Sequence, residues 1–162
     1  NDWATIKYEP DCAASVSYCS AKLNSLGCLP SIASIGAPSA SAANGFVVRA
    51  ANVRNNKSGL LFYGINGPAS LPFQAGTLCV STPIKRTPSV HSGGTPAPVN
   101  DCSGVFAIDM NSFAAGALGG NPLAALGAPG TIVNCQWWGR DPGFAAPNNT
   151  QLSGGLEYQI CP

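Results

Sequence analysis

Seven carboxylates, one histidine and seven cysteines make up the acid, base and thiol inventory of this 162-residue chain. The acids are Asp2, Glu9, Asp11, Asp101, Asp109, Asp141 and Glu157. Glycoside hydrolysis needs two carboxyls at a set separation. Asp109 and Glu157 both fall in strand-like segments and are the pair that could meet on one face. The plain alternative is two solvated strand residues. A Ser–His–Asp site or a thiol nucleophile would have to use His91, which sits in the loop-like stretch SVHSGGTP. The G-x-S-x-G elbow, the phosphate-binding loop and the dinucleotide fingerprint are all absent. No catalytic residue is assigned, and the expectation is a protein that is not an enzyme.

The cysteines are Cys12, Cys19, Cys28, Cys79, Cys102, Cys135 and Cys161. No C-x-x-C pair occurs, so zinc spacing is missing. Scattered cysteines in a weakly charged chain point to disulfides and an oxidising compartment. An odd count leaves one thiol over. Cys19 and Cys28 bracket a Gly-containing turn and are the first pair to expect. Cys79 with Cys102 would close the Pro/Gly-rich segment, and Cys12 with Cys161 would join the two ends. Cys135 is then unpaired, although spacing alone does not determine connectivity. Asn100-Asp101 and Arg140-Asp141-Pro142-Gly143 offer oxygens for calcium, but no D-x-D-x-D-G series is present. Asp141 reads more simply as a turn residue that pairs with Arg140 or accepts backbone N–H bonds. No metal site and no cofactor are expected.

Trp137-Trp138, in NCQWWGRDPG, is the strongest binding feature. Tryptophan offers the largest aromatic face for stacking on a sugar ring. On a strand the two rings go to opposite faces. Val133, Cys135 and Trp137 share one side, while Ile132, Asn134, Gln136 and Trp138 share the other. Neither side is cleanly polar, as expected of a central strand covered on both faces or of a surface buried by a partner. Trp137 is read as core. Trp138 is left to a covering loop, a subunit contact or a glycan. Trp3, Tyr8, Tyr18 and Tyr63 are other candidates for an exposed platform, with Arg140 and Asp141 as polar neighbours. Two N-x-S/T patterns, at Asn56 and Asn148, matter only in a host that glycosylates them.

The elements that would carry these residues are short strands between turn signals. Candidate strands cover 3–8, 15–19, 29–35, 46–53, 59–63, 77–80, 84–87, 105–110, 131–138 and 156–160. In VFAIDM, Phe106, Ile108 and Met110 share a face. In LEYQI, Leu156, Tyr158 and Ile160 do. One short helix is expected over 111–118. Segments 88–100 and 119–130 read as loops. The fold expected is an all-β antiparallel β-sandwich, Ig-like or jelly-roll-like, stapled by disulfides in a single domain over 1–162.

Hydrophobic residues make up 45% of the chain and charged residues only 9%, against roughly 25% charged in ordinary globular proteins. The net charge is +1. No basic stripe is visible in the sequence, which makes nucleic acid a poor partner. No apolar run approaches the roughly 20 residues of a membrane helix, so no membrane insertion is expected. Sparse charge weakens repulsion between like molecules and suits surface layers and adhesive modules.

The motifs YCSAKLNSLGCLPSI (18–32), GLLFYGING (59–67), PFQAGTLCV (72–80), DCSGVFAIDMNSF (101–113), QWWGRDP (136–142) and LEYQICP (156–162) together resemble an uncharacterised, cysteine-containing, β-rich domain of secreted planctomycete-type bacterial proteins. The resemblance covers most of the chain from Tyr18 onward. It implies export with the signal peptide already removed, and it carries over no catalytic residue. The expected role is a non-enzymatic extracellular or cell-surface structural protein. Its partners would be copies of itself or cell-surface molecules, with residues 1–10 as a pairing or donor strand. The alternative is a carbohydrate-binding or adhesion module that uses exposed aromatics on a polysaccharide.

Overall fold

The computed structural model describes residues 12–162. The expected strand over 3–8, with Trp3 and Tyr8, and the donor segment 1–10 lie outside the described residues. The strands are β1 (Val16–Tyr18), β2 (Ser31–Gly36), β3 (Phe46–Val53), β4 (Ser58–Gly64), β5 (Pro68–Phe73), β6 (Gly76–Val80), β7 (Lys85–Arg86), β8 (Val90–His91) and β9 (Gly104–Asp109). A short helix α1 (Met110–Ala114), a 3₁₀ turn over Ala124–Gly127, β10 (Ile132–Arg140) and β11 (Thr150–Gln159) follow. The paired strands are antiparallel, and the fold is an all-β sandwich. One sheet runs β1-β11-β10-β4-β7, with β8 also on β4. The second is β2-β3-β9. The β5–β6 hairpin forms a two-stranded sheet of its own.

The core lies between the two larger sheets. Leu61, Tyr63, Val133, Cys135, Trp137, Leu156 and Tyr158 point in from the first; Ile32, Phe46, Val48, Ala50, Phe106 and Ile108 point in from the second. Two aromatic contacts bridge the layers. Phe106 stacks on Trp137 with centroids 5.4 Å apart, and Phe46 meets Tyr158 at 4.7 Å. Gly59 and Gly139 are register partners on β4 and β10. A Cβ on either would meet the Phe106 ring at 2.5–2.6 Å. The paired glycines are therefore the bare backbone on which that ring lies. The helix is shorter than the expected 111–118 and starts earlier. Asp109 caps it by accepting the Ser112 N–H at 3.0 Å.

A third layer sits on the outer face of β10 and β11. Gln136, fully buried, reaches from β10 to β6. Its Oε1 accepts the Cys79 N–H at 2.9 Å, and its Nε2 donates to the Thr77 and Ser153 carbonyls at 2.8 Å each. Two readings change here. β5 is not among the expected strands; it contains Pro68 and Pro72, and proline is tolerated where the N–H has no ladder partner to serve. β11 begins six residues earlier than 156. Its Gly154 and Gly155 look like turn residues, but they face Tyr18: a Cβ on Gly155 would lie within 2.8 Å of the Tyr18 ring. A bulge sets Trp137 against Ser153 and Gly154, with the Trp137 N–H donating to Ser153 Oγ. It switches β11 from Leu152 outward to Leu156 inward.

The disulfides correct two expected pairs. Cys19 joins Cys79 and Cys28 joins Cys102, with Cα atoms 6.1 and 6.5 Å apart; Cys19 does not join Cys28, and Cys79 does not join Cys102. Closeness in sequence misleads because loop closure depends only weakly on length. The segment between Cys19 and Cys28 is held along the sheet by the Lys22–Leu152 bridge, which carries the two thiols to different neighbours. Cys12 joins Cys161, and Cys135 is a free thiol in the core. Burial raises the Cys135 pKa, which keeps the thiol protonated.

Peptide mapping under non-reducing conditions should find the linkages 19–79, 28–102 and 12–161. Cys28→Ser/Cys102→Ser should lower unfolding free energy by roughly 2–4 kcal/mol in denaturant titrations. A fragment linking Cys19 to Cys28 would refute the map.

Candidate functional site

The strand alternation that buries Trp137 turns Trp138 outward. Trp137 is 1% exposed and belongs to the core. Trp138 is half-buried on the outer face, beside Leu60, its register partner on β4. Phe62 lies two residues along β4 on the same face, opposite Arg86 of β7. Three neighbouring strands thus put Trp138, Leu60, Phe62 and Arg86 side by side. The tip of the β5–β6 hairpin adds Phe73 and Gln74. Together with Arg140 these residues line a groove of about 240 Å³.

The groove is a ladder of rings and guanidiniums. Phe62 lies 6.4 Å from Trp138 and 6.1 Å from Phe73, edge-on to the latter. Arg140 sits over Trp138, 5.5 Å from the ring centroid, and Arg86 over Phe62 at 5.8 Å. The indole Nε1–H donates to Gln74 Oε1 at 2.9 Å, which fixes the ring orientation. Gln74 and Ala75 form the two-residue turn of the hairpin, and both have positive φ, 48° and 61°. Such turns favour Asn-Gly. Non-glycine residues in the left-handed region cost about 1 kcal/mol or more each. Both of these strained residues lie in the turn that holds Trp138. A wider depression of about 680 Å³ lies beyond the hairpin, lined by Lys22, Gly76, Thr77, Phe144 and Asn148 among others. The Lys22 ammonium is already engaged there: it donates to the Gln74 and Asn148 carbonyls and sits over the Phe144 ring.

The remaining sequence candidates go elsewhere. Arg140 and Asp141 do not pair. Consecutive strand positions point to opposite faces, so Arg140 faces the groove while Asp141 turns inward. Asp141 is fully buried and binds Arg54 at 2.9 Å, with Ser25 and Gly143 donating to the same carboxylate. Burial raises the Asp141 pKa, but the bonds from Ser25, Arg54 and Gly143 outweigh that and hold it below the ordinary aspartate value. Its oxygens are taken, and so are those near Asp101: Asp101 accepts from Ser103, and Asn100 accepts from Arg54. Asp109 and Glu157 lie in different sheets. Asp109 caps α1, and Glu157 accepts from Asn134 at 3.1 Å. His91 is exposed on β8, where its Nδ1 accepts the Gly93 N–H. Cys135 lies in the core, away from it. Neither Tyr18 nor Tyr63 forms a platform. Tyr18 packs on Gly155 and donates to the Cys79 carbonyl at 2.6 Å; burial pushes its pKa up to about 12. Tyr63 is in the core.

Phe62, Phe73, Gln74 and Arg86 were not singled out in the sequence. One signal was present: GLLFY, like IVNCQWW, is apolar at positions of both parities, which marks a strand covered on both faces. Comparison with protein-family models, curated proteins and solved structures gives no match for this chain. Its function is therefore argued from the geometry of the groove.

Two outcomes follow from these contacts. Ala75→Gly should raise unfolding free energy by roughly 0.5–1 kcal/mol by relieving the turn, as read by denaturant titration. A loss of stability would mean that the turn is not strained. Asp141 has a folded pKa below its unfolded one, so its contribution is present above about pH 4 and is lost as acid titrates the folded group. Asp141→Asn should lower stability near neutral pH by roughly 3–5 kcal/mol. It should also flatten the fall in melting temperature toward acid, measured by calorimetry.

Proposed function

We propose that this chain is a non-enzymatic, extracellular β-sandwich that acts at a cell surface or in a matrix by binding polysaccharide in the Trp138 groove. The observation that carries this reading is Trp138, half-buried in the wall of the groove. It is pinned by Gln74 and continuous with Phe62 and Phe73, on an outer face that the hairpin otherwise covers. Aromatic faces take up the C–H surfaces of sugar rings, and a ring whose orientation is already fixed loses little freedom on binding. The three disulfides fit an oxidising location outside the cytosol. No helix among the described residues is long and apolar enough to cross a membrane.

Self-association is a second reading with its own support. Among the described residues β2 pairs only with β3, and its other edge carries Ile35, 58% exposed. An edge of six residues that no described strand covers, in a weakly charged molecule, can accept a strand from a second copy.

Binding to a panel of immobilised polysaccharides should be measured for the full chain and for Trp138→Ala, with light scattering of both across a concentration series. Retention that Trp138→Ala reduces by about tenfold or more, with circular dichroism unchanged, supports the groove. No retention on any polysaccharide, together with growth in mass as concentration rises, replaces it with the second reading.

A further inference from the structure

We infer that the groove takes an acidic polysaccharide, one whose sugar rings carry carboxylate or sulfate groups; this rests on the groove being the glycan site. Five cations among the described residues are not buried: Arg49, Lys57, Lys85, Arg86 and Arg140. Three of them lie along one strip. Arg86 and Arg140 line the groove around Trp138. Arg140 also lines a second groove of about 240 Å³, which it shares with Lys57 and Ser58. Arg140 is thus the common wall, and the strip runs from Arg86 past Arg140 to Lys57.

The two guanidiniums are positioned but unused by the described residues. Each rests over a ring, Arg140 on Trp138 and Arg86 on Phe62. At 5.5 and 5.8 Å from the ring centroids, the two guanidiniums keep their N–H donors open. Among the described residues neither guanidinium donates a hydrogen bond, and the only ion pair is Arg54–Asp141. The four described carboxylates are committed elsewhere: Asp101 to Ser103, Asp109 to α1 and Gly45, Asp141 to Arg54, and Glu157 to Asn134. A guanidinium with a free fork matches an oxyanion that presents two oxygens. Leu60, Phe62 and Phe73 supply an apolar floor for ring C–H groups. A row of three cations along two joined grooves fits a repeating polyanion better than a single small acid.

The test compares binding of the full chain to polygalacturonate, fully methyl-esterified polygalacturonate, dextran sulfate, dextran and single-stranded poly-deoxythymidine at two salt concentrations. Polygalacturonate or dextran sulfate should bind at least about tenfold tighter than its uncharged counterpart and weaken as salt rises. Whichever of the two binds tighter identifies carboxylate or sulfate as the anion. Arg86→Ala, Arg140→Ala and Lys57→Ala should each weaken that binding, whereas Lys85→Ala and Arg49→Ala should not. Equal losses at Lys85 or Arg49 would reduce the effect to diffuse charge and overturn the inference. Equal binding of acid and methyl ester would also overturn it while leaving a glycan groove in place. Tighter binding of the oligonucleotide would assign the strip to nucleic acid instead. Failure of every polysaccharide to bind would overturn both this inference and the groove reading.

Discussion

A glutamine side chain buried in a sheet must find partners for its carbonyl oxygen and its two N–H donors, because water cannot reach them. Gln136 is fully buried at the centre of β10, and it finds all of them in β6 and β11. This amide anchors the third layer together with the Cys19–Cys79 disulfide and the bonds from Tyr18 and Lys22. It replaces the backbone ladder that β6 lacks on that side and holds the hairpin flat on the outer face. The hairpin in turn carries Cys79 to Cys19 and brings the Gln74 turn over Trp138. Removal of the amide would leave the Cys79 N–H unpaired beneath the hairpin.

A second buried cluster is organised by charge. Arg54 and Asp141 come from the β3–β4 connection and from just past β10, and they meet in a buried pair that Ser25 completes. The neighbouring Cys28–Cys102 bridge ties the same region covalently. Asn24 and Gln151 bond to each other and to the adjacent backbone, extending the polar cluster without further charge. A chain with few ionisable groups has thus placed one ion pair where it is most shielded. Among the described residues the same placement leaves Arg86 and Arg140 without carboxylate partners on the surface.

The strand pattern was readable where one face of a strand meets the core and the other meets something polar. Phe106, Ile108 and Met110 on β9 and Leu156, Tyr158 and Ile160 at the end of the chain show this, since a period of two follows directly from backbone geometry. The reading failed at β5, where two prolines mask a strand that pairs on only one side. It failed again at the start of β11, where Gly154 and Gly155 make room for Tyr18 rather than for a turn. It failed for the cysteines because connectivity depends on which segments pass each other in space. In the groove, Trp138 and Arg140 were visible as candidates. Phe62, Phe73, Gln74 and Arg86 were not, since no local pattern links residues on β4, β5, the hairpin turn and β7.

By itself, the order of residues determined that this chain is all-β and that Trp137 and Trp138 part to opposite faces. It also determined that an odd number of cysteines leaves one over. These follow from local stereochemistry and from counting. Only the tertiary structure decided which thiols pair, that Asp141 leaves Arg140 for Arg54, and that a hairpin covers Gln136. It alone placed two guanidiniums on the rings of one groove. Those outcomes depend on strand neighbours that lie far apart in sequence, on the bulge opposite Trp137 that reverses the faces of β11, and on the need of each buried polar group for a partner.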